Sequence, residues 1–109
     1  FTLDLGRETS ISAISTDFLH QLGAWVLLPK EVRYEVSTDG KAFHPFGEPL
    51  VMKEDRDIAV KFVEGKVCVT QPVSARFIRV RIKATGMCPD WHYGVGYPAW
   101  CFIDEVRVE

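Results

Sequence analysis

Asp90, Trp91, His92 and Tyr93 stand side by side in a segment, Met87 to Trp100, that holds two of the three tryptophans, two of the three tyrosines and one of the three histidines. Flat aromatic faces stack on the C–H faces of sugar rings, and carboxylate, imidazole and phenol groups beside them hydrogen-bond ring hydroxyls. Those parts are all present here, with Tyr97 as a further aromatic, and His20, Gln21 and Trp25 add two polar groups and another indole from elsewhere in the chain. The competing interpretation is that aromatic residues in such a Gly- and Pro-containing loop plug the end of a fold or pack on a neighbouring domain.

Catalytic chemistry finds no carrier. The chain has no GxSxG, HExxH, GxxxxGK[ST] or GxGxxG pattern. Asp104 and Glu105 are adjacent, and neighbours on a strand point to opposite faces, so they do not form a paired acid and base. Cys88, His92 and Cys101 lack a persuasive fourth metal ligand. Cys88 and Cys101 also bracket the aromatic segment, leaving open either a loop-closing disulfide or two small buried thiols. Trp100 and Tyr34 are expected in the core, and His44 in a turn.

The elements that must position these groups are strands. Period-two alternation appears in Val32-Tyr34-Val36, Ile58-Val60-Phe62, Ile78-Val80-Ile82 and Val106-Val108. Turn signals stand at Leu5-Gly6, Asp39-Gly40, Glu64-Gly65-Lys66 and Gln71-Pro72, with Asp39-Gly40 the clearest hairpin cue. Phe18 to Pro29 reads as a long connection containing a turn of helix. The expected fold is therefore an antiparallel all-β sandwich of about seven or eight short strands. A length of 109 residues fits one domain. Thirteen Lys and Arg against 15 Asp and Glu exclude the basic excess of a nucleic-acid binder. The same balance makes membrane lipid a poor partner, although Trp25 to Leu28 resembles an apolar spike beside the Arg79, Arg81, Lys83 strip. The longest apolar run, Ala24 to Leu28, stops at Pro29, far short of the ~20 residues a spanning helix needs. Phe1 to Leu5 alternates like a strand with no signal peptide ahead of it, which reads as a piece excised from a larger protein.

Three stretches, Val36-Ser37-Thr38-Asp39-Gly40-Lys41-Ala42-Phe43, Ala75-Arg76-Phe77-Ile78-Arg79-Val80-Arg81 and Phe102-Ile103-Asp104-Glu105-Val106-Arg107-Val108, together resemble a coagulation-factor type C, or discoidin-like, domain. That fold is shared with family 32 carbohydrate-binding modules. Gly23-Ala24-Trp25 followed by Pro29-Lys30-Glu31-Val32, and Pro89-Asp90-Trp91-His92 followed by Ala99-Trp100, further resemble the C-terminal module of bacterial family 20 β-N-acetylhexosaminidases, which are chitobiase-like enzymes. The resemblance implies a discoidin-like jelly-roll β-sandwich lacking the family's N-terminal segment, non-catalytic itself, in an extracytoplasmic bacterial glycosidase. Its implied partners are galactose- or N-acetylhexosamine-containing glycans and the catalytic domain of the parent chain. Family members often hold a structural calcium, and Glu105 stands where the closing strand can supply a ligand, with upstream residues needed to complete the shell. The alternative is a structural module that packs on the catalytic domain without binding sugar.

Overall fold

The computed structural model describes residues 1–109. Its strands are β1 (Thr2–His20), β2 (Glu31–Ser37), β3 (His44–Pro45), β4 (Leu50–Val51), β5 (Lys61–Lys83) and β6 (Ile103–Val108), with a single 3₁₀ turn at Leu22–Ala24. They pair antiparallel in the order β3-β2-β5-β1-β6, and β4 also pairs with β2.

The two long strands shape the molecule. At the usual rise per residue β5 would extend about 75 Å and β1 about 60 Å if straight, yet the longest dimension of the protein is 45 Å. Both strands bend, and the sheet closes over itself as a β-sandwich. The bends coincide with two breaks in register: residues 5–8 of β1 stand against Arg76 alone, and residues 69–72 of β5 stand against Ser12 alone. Gly6, at φ +84°, sits in the first bulge. Pro72, which has no N–H to offer a ladder, sits in the second.

These bulges correct the expected strand count. Leu5-Gly6 and Gln71-Pro72 bend strands without reversing them, and Glu64-Gly65-Lys66 lies within β5 opposite Thr16. Gly65 is there for closeness: a Cβ on it would come within 3.3 Å of the Leu50 and Phe18 side chains. Segments that read as separate strands therefore merge, leaving six. Asp39-Gly40 does make the β2–β3 hairpin, with Gly40 at φ +78° and the Asp39 carboxylate accepting from the Lys41 and Ala42 N–H groups.

Alternation on β2 and β5 sends Val32, Tyr34, Val36, Ile78 and Val80 into a core completed by Ile11, Ile14, Phe18 and Phe46. Burying a side chain such as Phe18 or Phe46 contributes about 2–3 kcal/mol. The Tyr34 hydroxyl is satisfied inside, 2.9 Å from the Gly65 carbonyl and 2.6 Å from Thr16 Oγ1. Three expectations fail. Ile58, Val60 and Phe62 are 79%, 61% and 58% exposed, because β5 begins at Lys61 and pairs Val63 with inward-facing Phe18, turning Phe62 outward. Trp100, 63% exposed, precedes β6 in an irregular stretch bridged only to Val26. His44 lies in β3, exposed, opposite Val36.

Candidate functional site

β1 ends at His20, and the chain then turns through the 3₁₀ segment to Trp25, a left-handed residue at φ 62° whose N–H bonds the Leu22 carbonyl. Val26, Leu27 and Leu28 follow as buried residues. The run Trp25 to Leu28, which resembles an apolar spike in sequence, is covered by its own fold from Val26 to Leu28. The aromatic segment docks on this connection: Trp100 donates to the Trp25 carbonyl and accepts from Leu27 N–H, while Leu22, Leu27 and Cys88 form a small core against Trp25, Trp91 and Ala99. All three cysteines are free thiols. Cys88 belongs to this small core and Cys101 packs on the main one, so no disulfide joins them.

The candidate sugar residues divide into two groups with different jobs. In the first, His92 is buried and stacks on Tyr93 at 4.5 Å, with Trp25 meeting both rings edge-on. Its Nδ1 accepts from Gly94 N–H at 2.9 Å, which leaves Nε2–H to donate to the Leu22 carbonyl at 2.8 Å. The Tyr93 hydroxyl donates to the Gly23 carbonyl at 2.7 Å, and Tyr97 leans on Trp25 at 5.8 Å. With the His92 nitrogens and the Tyr93 hydroxyl bonded to the backbone, this cluster clamps the loop to the 3₁₀ turn, while the Tyr93 and Tyr97 side chains stay 70% and 62% exposed. His92 thus has no nitrogen free for a hydroxyl or a metal, a correction to its expected role. Gln21 pairs with Val26 through its main chain and lies outside the cleft described next, as does Asp90, exposed on the turn.

The second group lines a cleft of about 450 Å³ between the end of β1, residues 52–55 and residues 85–91. Leu27, Leu28 and Pro29 are its buried apolar wall, Trp91 its one aromatic, and Lys30, Lys53, Glu54 and Asp55 its charges. Of the expected residues only His20 and Trp91 meet here. The Trp91 indole N–H donates to Glu54, fixing the ring, and Arg56, which does not line the cleft, lies 5.0 Å from the ring centre. His20 is buried, its Nε2 bonded to the Asp57 carbonyl and its Nδ1 without a partner. A buried unpaired nitrogen of this kind costs about 1–3 kcal/mol.

The carboxylates of the cleft are committed. The Trp91 indole and then Arg56 hold Glu54 below the usual range, while Lys61 at 2.7 Å and then Asp57 N–H do the same for Asp55. Lys30 and Lys53 form no ion pair. Sequence reasoning missed both lysines and the 52–55 segment. The available signal was the charged run Lys53-Glu54-Asp55 directly after apolar Leu50-Val51-Met52.

A family model for the F5/8 type C domain matches residues 1–103. The chain belongs to the F5/8 type C family. A search of curated proteins gives no match. Domains of this discoidin type are generally non-catalytic and commonly bind carbohydrates or other proteins. As an F5/8 type C domain the chain raises the question of calcium. Carboxylate oxygens of Asp17, Asp104 and Glu105 lie within 4.8 Å of one another where β1 meets β6; the register shift there leaves Asp104 unpaired, so the Asp104 and Glu105 carboxylates converge rather than facing apart as the strand period leads one to expect. Arg107 already occupies that position: its two terminal nitrogens each lie 2.7 Å from an Asp17 oxygen, and it reaches Glu64 at 2.7 Å and Glu105 at 3.2 Å. It holds the Asp17 carboxyl well below its ordinary range. Calcium takes six to eight oxygens and would have to displace this guanidinium, so these residues do not fit the ion as they stand. Arg79 and Arg81, on the outward strip, lie 3.6 and 3.7 Å from the Glu35 carboxylate.

Proposed function

We propose that this F5/8 type C domain is the non-catalytic carbohydrate-binding module of an extracytoplasmic bacterial glycoside hydrolase of the β-N-acetylhexosaminidase, chitobiase-like kind, and that it takes a galactose- or N-acetylhexosamine-type ring in the Trp91 cleft. The observation that carries this reading is the cleft itself, a sugar-sized cavity at one end of the sandwich with an indole, an apolar wall and several charged groups around it. Trp91 supplies the stacking face, and the rim supplies polar contacts. The His92–Tyr93–Trp25 clamp acts indirectly, by holding the 85–91 wall. Affinity for a monosaccharide is weak, near millimolar at roughly 4 kcal/mol, because so small a ligand removes little surface from water.

The test follows the three indole N–H resonances in a titration with galactose, N-acetylgalactosamine, N-acetylglucosamine and chitobiose. Saturable shifts at Trp91, with Trp100 silent, support the reading. Silence at Trp91 across the panel in a folded sample refutes it.

A second reading, packing against a neighbouring catalytic domain, draws on a different surface. Phe62 pairs with Leu19, whose N–H bonds the Phe102 carbonyl, so Phe62, Leu19 and Phe102 make an outward apolar row across β5, β1 and the approach to β6. Phe62 and Phe102 are 58% and 51% exposed. Exposed apolar rows of this kind mark contact surfaces. Replacing Phe62 and Phe102 with serine in the parent enzyme separates the two: interdomain packing predicts a lower melting temperature for the enzyme with glycan binding intact.

A further inference from the structure

We propose that the Trp91 cleft selects an acidic sugar, a galactose-type ring bearing a carboxylate or sulfate group, which Lys30 and Lys53 receive. This rests on the carbohydrate reading above and narrows its ligand class. Glu31 pairs with Val51, and Met52 N–H donates to the Lys30 carbonyl at 3.0 Å, so the pairing of β2 and β4 continues one step further. Lys30 therefore stands beside Met52, and Lys53 follows directly. Both are exposed, and both line the same cleft. A lysine ammonium on its four-carbon stem is a mobile point charge that can converge with a second one on a single anion.

Every carboxylate at the cleft has a cation from its own neighbourhood: Glu54 has Arg56 at 3.2 Å, and Asp55 has Lys61 at 2.7 Å, which also reaches Asp57 at 3.4 Å. Nothing is left over to pair with Lys30 or Lys53. In a chain of net charge −2 this leaves two free positive charges on one rim. In the same cleft, bonded to Glu54 beside Lys53, stands the indole that a sugar ring would stack on. A neutral ring would use the stacking surface and leave both ammonium groups unanswered, whereas an acidic ring uses both. The two lysines also steer an anionic chain toward the cleft, an attraction that salt weakens.

The experiment titrates the domain with galactose, galacturonate and galactose 6-sulfate at low and high salt, reading the Trp91 indole shift, and repeats the series on Lys30→Gln, Lys53→Gln and the double variant. Anionic phosphatidylserine vesicles form a separate sedimentation arm. The expected result is an acidic sugar bound roughly tenfold more tightly than galactose at low salt, from two charge-assisted contacts at an exposed rim. The advantage shrinks as the Debye length falls from about 30 Å at 0.01 M to about 8 Å at 0.15 M. In the double variant the preference disappears, and since both side chains are exposed the dispersion of the spectrum reports retained folding. Whichever of the two acidic sugars is preferred names the anion. Equal shifts with galactose and the acidic sugars, unaffected by the lysine substitutions, overturn the narrowing and leave the carbohydrate reading standing. Silence at Trp91 with every sugar overturns both. Sedimentation with the vesicles in place of sugar binding assigns the lysines to a lipid surface and overturns the proposal.

Discussion

Replacing His92 with phenylalanine separates a clamp from a ligand-binding group. The substitution keeps an aromatic ring beside Tyr93, Trp25 and Trp91 while deleting both ring nitrogens. The buried Gly94 N–H has its acceptor in His92 Nδ1, and losing it strands a donor at a cost of about 1–3 kcal/mol. The Leu22 carbonyl still accepts from Trp25 N–H at 3.0 Å, so its share of the loss is smaller, about 0.5–1 kcal/mol. Together these give about 3 kcal/mol, and at roughly 4 °C per kcal/mol for a domain of this size the midpoint of thermal unfolding falls by about 12 °C. Circular dichroism melting measures this directly, and a sugar titration below the transition shows whether Trp91 still responds. A variant that melts with the parent yet no longer binds sugar would refute the clamp and return His92 to the ligand.

Acid should unfold the domain through its paired carboxylates. Arg76, followed by Gly6 N–H, holds Asp4 at about 2 against an ordinary 3.8; Asp17, Asp39, Asp55, Asp57 and Glu54 are displaced the same way. A depressed carboxyl contributes fully above its unfolded value and loses that contribution as pH falls toward the folded one. Urea midpoints should therefore drop steeply from about pH 4 to pH 2, and Asp4→Asn should flatten part of that slope; a flat profile over this range would contradict the pairing. Arg107→Gln removes the cation shared by Asp17, Glu64 and Glu105. The variant should melt lower and recover in calcium, while the parent responds to neither calcium nor chelator; a parent stabilised by calcium defeats the account of Arg107. Gly47→Ala places a Cβ 2.5 Å from Val67 Cγ1 on a backbone at φ +66°. Denaturant titration should show a loss of about 2–3 kcal/mol from left-handed strain and overpacking combined.

Side-chain parity was the legible part of the fold. Val32, Tyr34 and Val36 face inward because each stands two residues from the next on a half-buried strand, and Asp39-Gly40 turns because glycine accepts the positive φ there. The illegible part was the difference between a reversal and a bulge. Gly6, Gly65 and Pro72 carry the composition of turns, but Gly6 and Pro72 bend continuous strands and Gly65 makes room for Phe18, facts set by the partner strand. The same limit applied to the site. Trp91 and His20 were identifiable by residue type, and the structure brings them to one cleft. His92 and Tyr93 have the same chemistry, yet His92 is buried and Tyr93, its ring exposed, has its hydroxyl tied down, because backbone groups of Leu22, Gly23 and Gly94 take their polar atoms. Lys30 and Lys53 gained meaning only from β4 lying beside β2.

The pairing of β1 with β5 has a consequence for how the chain acquires this structure. Thr2 pairs with Arg79, Phe1 with Val80, and His20 with Lys61. β1, made before β5, thus finds its main partner only after some forty to eighty further residues have been added. At about 5–20 residues per second, β1 waits several seconds as an unpaired strand. Pairings separated this widely in sequence belong to the slow, millisecond-to-second folding regime, since loop closure must be met before the ladder returns any stability. Only the β2–β3 hairpin and the β2–β4 pair can form early, and they set up the Lys30–Met52 rim before its opposite wall exists. The cleft closes only afterwards, once residues 85–91 have been made and dock against that rim.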